Sequence, residues 1–253
     1  MNGLEENLRA VRARIAAAAA VAGRDPASVA LLAVSKTWPA AAVRELATLG
    51  QVDFGENRAQ ELLGKAAELP GLPVRWHFIG QLQRNKAAAV ARLGAVVHSV
   101  DRPALVGALD RVGQEASRPV EVFVQVDLGG PEGDLAARGG ADPDDVAGLA
   151  DAVGEAAGLR LRGLMAVAPR GVDPRPAFDR LAALAARVRA AHPGAVDLSA
   201  GMSGDLEAAI AAGATVVRVG TALFGDRVLP SGEDQSTPAT RVTPVTGASG
   251  APA

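Results

Sequence analysis

Lys36 closes a continuous apolar run, Val29-Ala30-Leu31-Leu32-Ala33-Val34-Ser35-Lys36-Thr37. A lysine on an apolar stem at the end of a buried strand can give up its proton and attack a carbonyl, forming a Schiff base. The same pattern suits a lysine that simply leaves the sheet for solvent, and this stretch alone does not choose between the two. Two glycine-bearing segments offer a complementary chemistry. In Ser199-Ala200-Gly201-Met202-Ser203-Gly204 the glycines let the backbone approach a ligand, and the helix that follows presents N–H groups to an anion. Val219-Gly220-Thr221-Ala222 repeats the arrangement. Either alone reads equally as a tight turn. Arg218 alternates with Val217 and Val219, so it is expected to point into a sheet interior, where it needs a ligand or a structural carboxylate partner. His77, between Trp76 and Phe78, suits a structural histidine as well as a ligand contact. His98 and His192 carry no such signal, and no spacing of histidines and carboxylates suggests a metal site.

Positioning these groups is the task of an α/β fold. A run hydrophobic on both faces fits a strand inside a parallel sheet, and a helix expected over 40–49 places Lys36 at its carboxyl end, where such folds bind ligands. Further strands are expected at 52–54, 74–80, 95–100, 120–126, 159–166, 196–199 and 215–219. Helices are expected at 58–69, 84–93, from an Asp101 N-cap through Leu109, and at 144–157, 175–191 and 205–212. Eight strands alternating with helices favour a single (β/α)8 TIM barrel over residues 1–229, with an open doubly wound sheet as the alternative. On one rim of such a barrel Lys36, Asn57, His77, Met165, Ser203 and the Arg218-Gly220-Thr221 group would surround a common space. The loops after strands seven and eight form the usual phosphate site of these barrels.

Outside the barrel, Leu4, Leu8, Val11 and Ile15 share one stripe of an extra N-terminal helix. The glycine-rich loop 127–142 reads as functional or mobile. Residues 230–253 turn to Ser, Thr, Pro, Gly and Ala without hydrophobic periodicity and are expected to form a disordered tail.

The composition narrows the chemistry. Of 253 residues 49% are hydrophobic, enough for a full core, and the net charge of −2 carries no basic cluster suited to nucleic acid or an anionic membrane. The absence of cysteine excludes disulfides, thiolate metal sites and a cysteine nucleophile. There is no tyrosine, and three lysines (Lys36, Lys65 and Lys86) stand against 23 arginines. Glu5 and Glu6 argue against a signal peptide, and no segment is long enough to span a membrane, so a cytoplasmic protein is expected.

Several stretches carry a family resemblance: AVSKT at 33–37, FGEN at 54–57, WHFIGQLQRNK at 76–86, LRGLM at 161–165 and SAGMSGDLEAAIAAGATVVRVGTALFG at 199–225. In these the chain resembles the pyridoxal phosphate homeostasis proteins (YggS/PROSC type), whose barrel is similar to the N-terminal domain of alanine racemase. The resemblance implies that Lys36 carries pyridoxal 5′-phosphate (PLP) as a Schiff base. It implies that Ser203 with the N–H groups of Gly220 and Thr221 holds the phosphate, that Arg218 faces the pyridine nitrogen, and that Asn57 and Met202 line the pocket. Where many members have an asparagine and a downstream Lys-Xaa-Gly after strand five, this chain has Asp127 and Arg138-Gly139-Gly140.

An arginine cannot protonate the ring nitrogen at neutral pH, which leaves the cofactor a weak electron sink. Racemases of the related fold add a tyrosine from a second domain of a partner subunit; here neither that domain nor any tyrosine is expected to serve. The expectation is a monomeric PLP-binding protein of intracellular PLP homeostasis, without independent catalytic activity, its partners being PLP and PLP-dependent apoenzymes. A PLP-dependent amino-acid racemase is the first alternative. A barrel aldolase using Lys36 on sugar phosphates, with Glu56 or Asp127 as acid–base partner, is the second.

Overall fold

A computed structural model describes residues 3–129 and 139–225. The eight expected strands pair, all in parallel and in sequence order, into a closed barrel whose first strand meets its last. They are β1 (Ala30–Val34), β2 (Asp53–Glu56), β3 (Arg75–Phe78), β4 (Val96–Val100), β5 (Val120–Val126), β6 (Leu159–Ala166), β7 (Asp197–Ser199) and β8 (Val216–Val219). The ring closes where Leu32 of β1 pairs with Arg218 of β8. Outside it lie α1 (Gly3–Val21), α2 (Ala40–Thr48), α3 (Ala59–Glu68), α4 (Arg84–Leu93), α5 (Pro103–Glu115), α6 (Val146–Glu155), α7 (Arg175–Ala191), α8 (Leu206–Ala211) and α9 (Thr221–Phe224). Closure removes every sheet edge and fixes one mouth as the carboxyl end of all eight strands. The open-sheet alternative is thereby set aside.

Strand alternation sorts the side chains. Leu31, Ala33, Phe54, Phe78, Val97 and Val217 face outward into the apolar layer between strands and helices. Inside the barrel lie the cluster of Val96, Phe123 and Met165 and the inward-facing Leu32, Val34 and Val216. His77, His98, Ser199 and Arg218 occupy the neighbouring space, each at most 6% exposed. In β6 the alternation breaks at Gly163, whose φ is +151°, and the pairing register with β5 shifts there. A Cβ at Gly163 would stand 1.8 Å from the Asp197 carbonyl oxygen. This bulge lets both Arg162 and Met165 face inward although they are three residues apart.

One local expectation is corrected. Asp101 does not cap α5: the cap position is Arg102, and Pro103 opens the helix with its fixed φ while the Asp101 carboxylate pairs with Arg102. The segment after β8 forms the one-turn helix α9, with Gly220 at its N-cap position. Pro26–Ser28 forms a short 3-10 turn in which the Asp25 side chain accepts the Ala27 N–H. The end of α2 follows expectation, with Gly50 at φ +80° just past the helix. Most of loop 127–142, namely 130–138, and the expected tail lie outside the described residues. Among the described residues no helix is long and apolar enough to cross a membrane.

Candidate functional site

At the carboxyl mouth a cavity of about 570 Å³ is lined by Lys36, Asn57, Met165, Met202, Ser203, Arg218, Gly220 and Thr221. Every sequence-derived cofactor residue is therefore on one wall system, although they span 186 positions of the chain. Lys36 enters from the turn after β1. Thr37, next to it, holds the uncommon positive φ of +70°, and its N–H donates to a Glu61 carboxylate oxygen on α3. Trp38 then stacks on Phe224 of α9, with ring centroids 5.6 Å apart and planes at 23°. The turn carrying Lys36 is thus tied on one side to α3 and on the other to the α9 segment.

The opposite wall is built by loops from β7 and β8. Ser203 Oγ accepts the Ala222 N–H at 3.3 Å, joining the two loops. The Met202 N–H donates to Asp205 Oδ1 at 2.6 Å, which curls the chain into α8. Helix α1 secures both loops from outside: Arg14 donates to the Ser203 carbonyl at 3.1 Å and Asn7 to the Leu223 carbonyl at 2.9 Å. The extra N-terminal helix therefore braces the site rather than merely covering the barrel. On the β2–β3 side, a Cβ at Gly80 would stand 2.1 Å from the Asn57 carbonyl oxygen, so only glycine allows this approach. The buried Asn57 Oδ1 has no hydrogen-bond partner among the described residues.

Arg218 rises from the barrel interior to the cavity floor. Its Nη1 donates to Ser199 O at 2.6 Å and to Ser199 Oγ at 2.9 Å, and its Nη2 to Ala166 O at 2.8 Å. All three acceptors are neutral, so the structural ion pair weighed from the sequence is not what holds it. Burial lowers the Arg218 pKa to about 10, partly offset by the attraction of Asp205, and the side chain stays cationic at neutral pH.

His77 is not at this rim. Its Nε2 lies 2.9 Å from Asp53 Oδ1 and its Nδ1 2.8 Å from His98 Nε2, which places it at the amino mouth in a second space with Asp53, Arg75, Arg162 and Asp197. It lies within β3, whereas Lys36 lies two residues beyond β1, and that difference in depth separates them. Glu56 and Asp127 do not line the cavity either. Glu56 is wholly buried behind the strands, bonded to Ser35 Oγ at 2.6 Å and Lys65 at 2.7 Å, and burial above all raises its pKa against the pull of Lys65 and Ser35. Sequence reasoning missed Gln81, Gln125 and Arg170, which also line the cavity. A signal for Gln125 existed: it alternates with Val124 and Val126, just as Arg218 does with its neighbours.

The model of the alanine racemase N-terminal domain family matches residues 6–228. A pyridoxal phosphate homeostasis protein of Pseudomonas aeruginosa is 49% identical over 233 residues, covering 90% of this chain and 97% of that protein. The chain belongs to the pyridoxal phosphate homeostasis proteins. Among solved members and neighbours of this family, PipY from Synechococcus elongatus with PLP bound superposes with a TM-score of 0.77 at 38% identity, covering 88% of this chain and 100% of that one. Alanine racemase from Streptomyces coelicolor shares the fold, with a TM-score of 0.70 at 22% identity over 89% of this chain and 58% of that one. In this member of the family, then, the lysine, the two loop segments and the arginine meet at the mouth where barrels of this kind bind ligands.

Proposed function

We propose that the chain binds PLP in the carboxyl-mouth cavity, holds it as a Schiff base on Lys36, and serves intracellular PLP homeostasis. The observation that carries this is the convergence of an amine, a buried cation and a glycine-bearing double loop in one cavity. PLP brings an aldehyde, a phosphate and a ring nitrogen, and each has a counterpart there. Lys36 would take the aldehyde, while Ser203, Gly220 and Thr221 would hold the phosphate. Arg218 would face the ring nitrogen, and Met202 and the unpartnered Asn57 Oδ1 would complete the wall. A cation bonded only to neutral acceptors suits an anionic ligand better than an empty apolar cleft would.

We infer holding rather than turnover. Arg218 does not supply a ring-nitrogen proton, and the sequence contains no tyrosine to act on the far face. Residues 1–229 act as one PLP-binding domain, cytoplasmic and monomeric, that passes the cofactor to PLP-dependent apoenzymes.

The test is the visible absorbance of the full chain after incubation with PLP, beside Lys36→Ala, before and after borohydride. A yellow wild type whose chromophore is trapped on Lys36, with Lys36→Ala failing to trap it, is expected. A wild type that takes up no PLP rejects the reading, and measurable racemisation of amino acids rejects holding alone.

A further inference from the structure

An unbroken line of hydrogen bonds, buried except at its Asp53 end, crosses the barrel interior from one mouth to the other. It runs from Asp53 Oδ1 to His77 Nε2 (2.9 Å), from His77 Nδ1 to His98 Nε2 (2.8 Å), from His98 Nδ1 to Ser199 Oγ (3.0 Å), and from Ser199 Oγ to Arg218 Nη1 (2.9 Å). The five residues come from five different strands, β2, β3, β4, β7 and β8. His98 and Ser199 are fully buried, and Phe123 stacks on the His98 ring at 4.2 Å.

With neutral imidazoles between them, the two ends decide the direction of every link. A guanidinium can only donate, and an ionised carboxylate can only accept. Asp53 is ionised: burial raises its pKa, but hydrogen bonds from His77 and Arg75 and the Arg75 charge outweigh this and hold it below the usual carboxylate value. His77 therefore donates from Nε2–H to Asp53 and accepts at Nδ1. His98 then donates from Nε2–H to His77 and accepts at Nδ1, where the Ser199 hydroxyl donates. The lone pairs of that hydroxyl are left for Arg218. With both imidazoles neutral, a single arrangement of protons satisfies the chain, and it puts both rings in the same tautomer. Burial, the first cause of the lowered pKa of each ring, favours the same state.

We propose that Asp53, His77, His98 and Ser199 form a positioning chain for Arg218, which orients the guanidinium toward the cofactor from the opposite mouth of the barrel. The proposal rests on the PLP reading above. The chain links Arg218 to a carboxylate without placing that carboxylate at the cavity. The cation is thereby held in one orientation while its charge remains available to the ligand. Of its five N–H groups, two on Nη1 and one on Nη2 are engaged. Nε–H and the second Nη2–H keep no acceptor among the described residues and can meet the ring.

The test uses the full chain and three variants, Ser199→Ala, His77→Leu and His77→Gln. Gln can donate to Asp53 and accept from His98 as the neutral imidazole does, so it keeps the chain, whereas Leu and Ala cut it. PLP release is followed by transfer to an excess of a scavenging amine, together with the absorbance maximum of the bound cofactor, thermal unfolding, and ¹⁵N histidine spectra of the protein without PLP. Expected are two Nε2–H tautomers in the wild type, release about tenfold faster and a displaced absorbance maximum in Ser199→Ala and His77→Leu, and return of both toward wild type in His77→Gln; tenfold is the ordinary size of one lost hydrogen bond to a charged group.

Unchanged release and absorbance in both cut variants, even with lowered unfolding temperatures, would mean a structural role only and overturns the proposal. So does a charged imidazole or an Nδ1–H tautomer at His77 or His98. Should His77→Leu fail to fold, Ser199→Ala decides alone. A wild type that takes up no PLP rejects the cofactor reading, and the chain's role in holding it with that reading; binding by wild type with indifferent variants rejects the chain only.

Discussion

His98 on β4 and Ser199 on β7, 101 positions apart in sequence, share a 3.0 Å hydrogen bond at the centre of the barrel. That bond places a polar axis where barrels usually pack layers of branched aliphatic side chains. The inward Leu32, Val96, Phe123 and Met165 pack around this axis, and a buried polar line of this kind is stabilising only when its members are paired.

The axis predicts an acid-sensitive fold. Burial lowers the pKa of His77, despite Asp53, and lowers that of His98 further; a proton on His77 would add to the second shift, as the charges of Arg218 and Arg162 do. The unfolded chain takes up these protons near pH 6.5 and the folded chain does not, so stability is fully present above that pH and declines below it. The slope approaches about 1.4 kcal/mol per pH unit for each imidazole. Asp53 acts in a separate window, its contribution being lost only as pH falls from 3.8 toward 2. Urea unfolding at about pH 7.5 and about pH 5.5 should show a clearly lower midpoint in acid. Equal midpoints would rule out neutral buried imidazoles.

Behind β1 and β2, Lys65 donates to Ser35 O at 2.7 Å, Glu56 Oε1 at 2.7 Å and Glu61 Oε1 at 2.8 Å. Lys65→Met leaves a fully buried Glu56 without its cation and should cost about 3–5 kcal/mol. Adding Glu56→Gln should return much of that loss, because the second variant removes the stranded acid. Chemical denaturation of the single and double variants measures both, and a Lys65→Met protein as stable as wild type contradicts the prediction.

Gly80→Ala should disturb the site and the fold together. The new Cβ meets the Asn57 backbone, which cannot yield as a side-chain tip would, so a loss of about 1–3 kcal/mol and weaker PLP retention are expected. Gly64→Ala is the control. Its Cβ meets nothing within 4 Å on α3, and stability should rise by up to about 1 kcal/mol with retention unchanged.

Trp38→Ala removes the stack on Phe224 that ties the Lys36 turn to α9. PLP release should quicken, and stability should fall by about 0.5–1.5 kcal/mol beyond the buried area lost. Trp38→Phe should keep most of both. Release rates of the two variants measured side by side separate the stack from simple bulk.

Much of this was legible in the chain. The alternation Val217-Arg218-Val219 fixed the face on which the arginine lies, because a strand turns each successive side chain to the opposite side. The apolar run ending at Lys36 and the two glycine loops identified the mouth of the barrel for the same local reason. His98, in Val96-Val97-His98-Ser99-Val100, obeys the rule applied to Arg218 and was legible as an inward group too.

Depth was not legible. His77 and Lys36 both lie near strand ends and on the inner face, yet one faces the amino mouth and the other the carboxyl mouth. Which level a residue occupies depends on how neighbouring strands are staggered around the closed ring. The pairing of His77 with Val96 and Gly55, and the bulge at Gly163 that reverses the facing of β6, are agreements between distant segments. Local sequence thus set the strands, their faces and the chemistry of Lys36 and Arg218. Only the tertiary structure, through register and closure, decided that four residues from four other strands would line up behind that arginine.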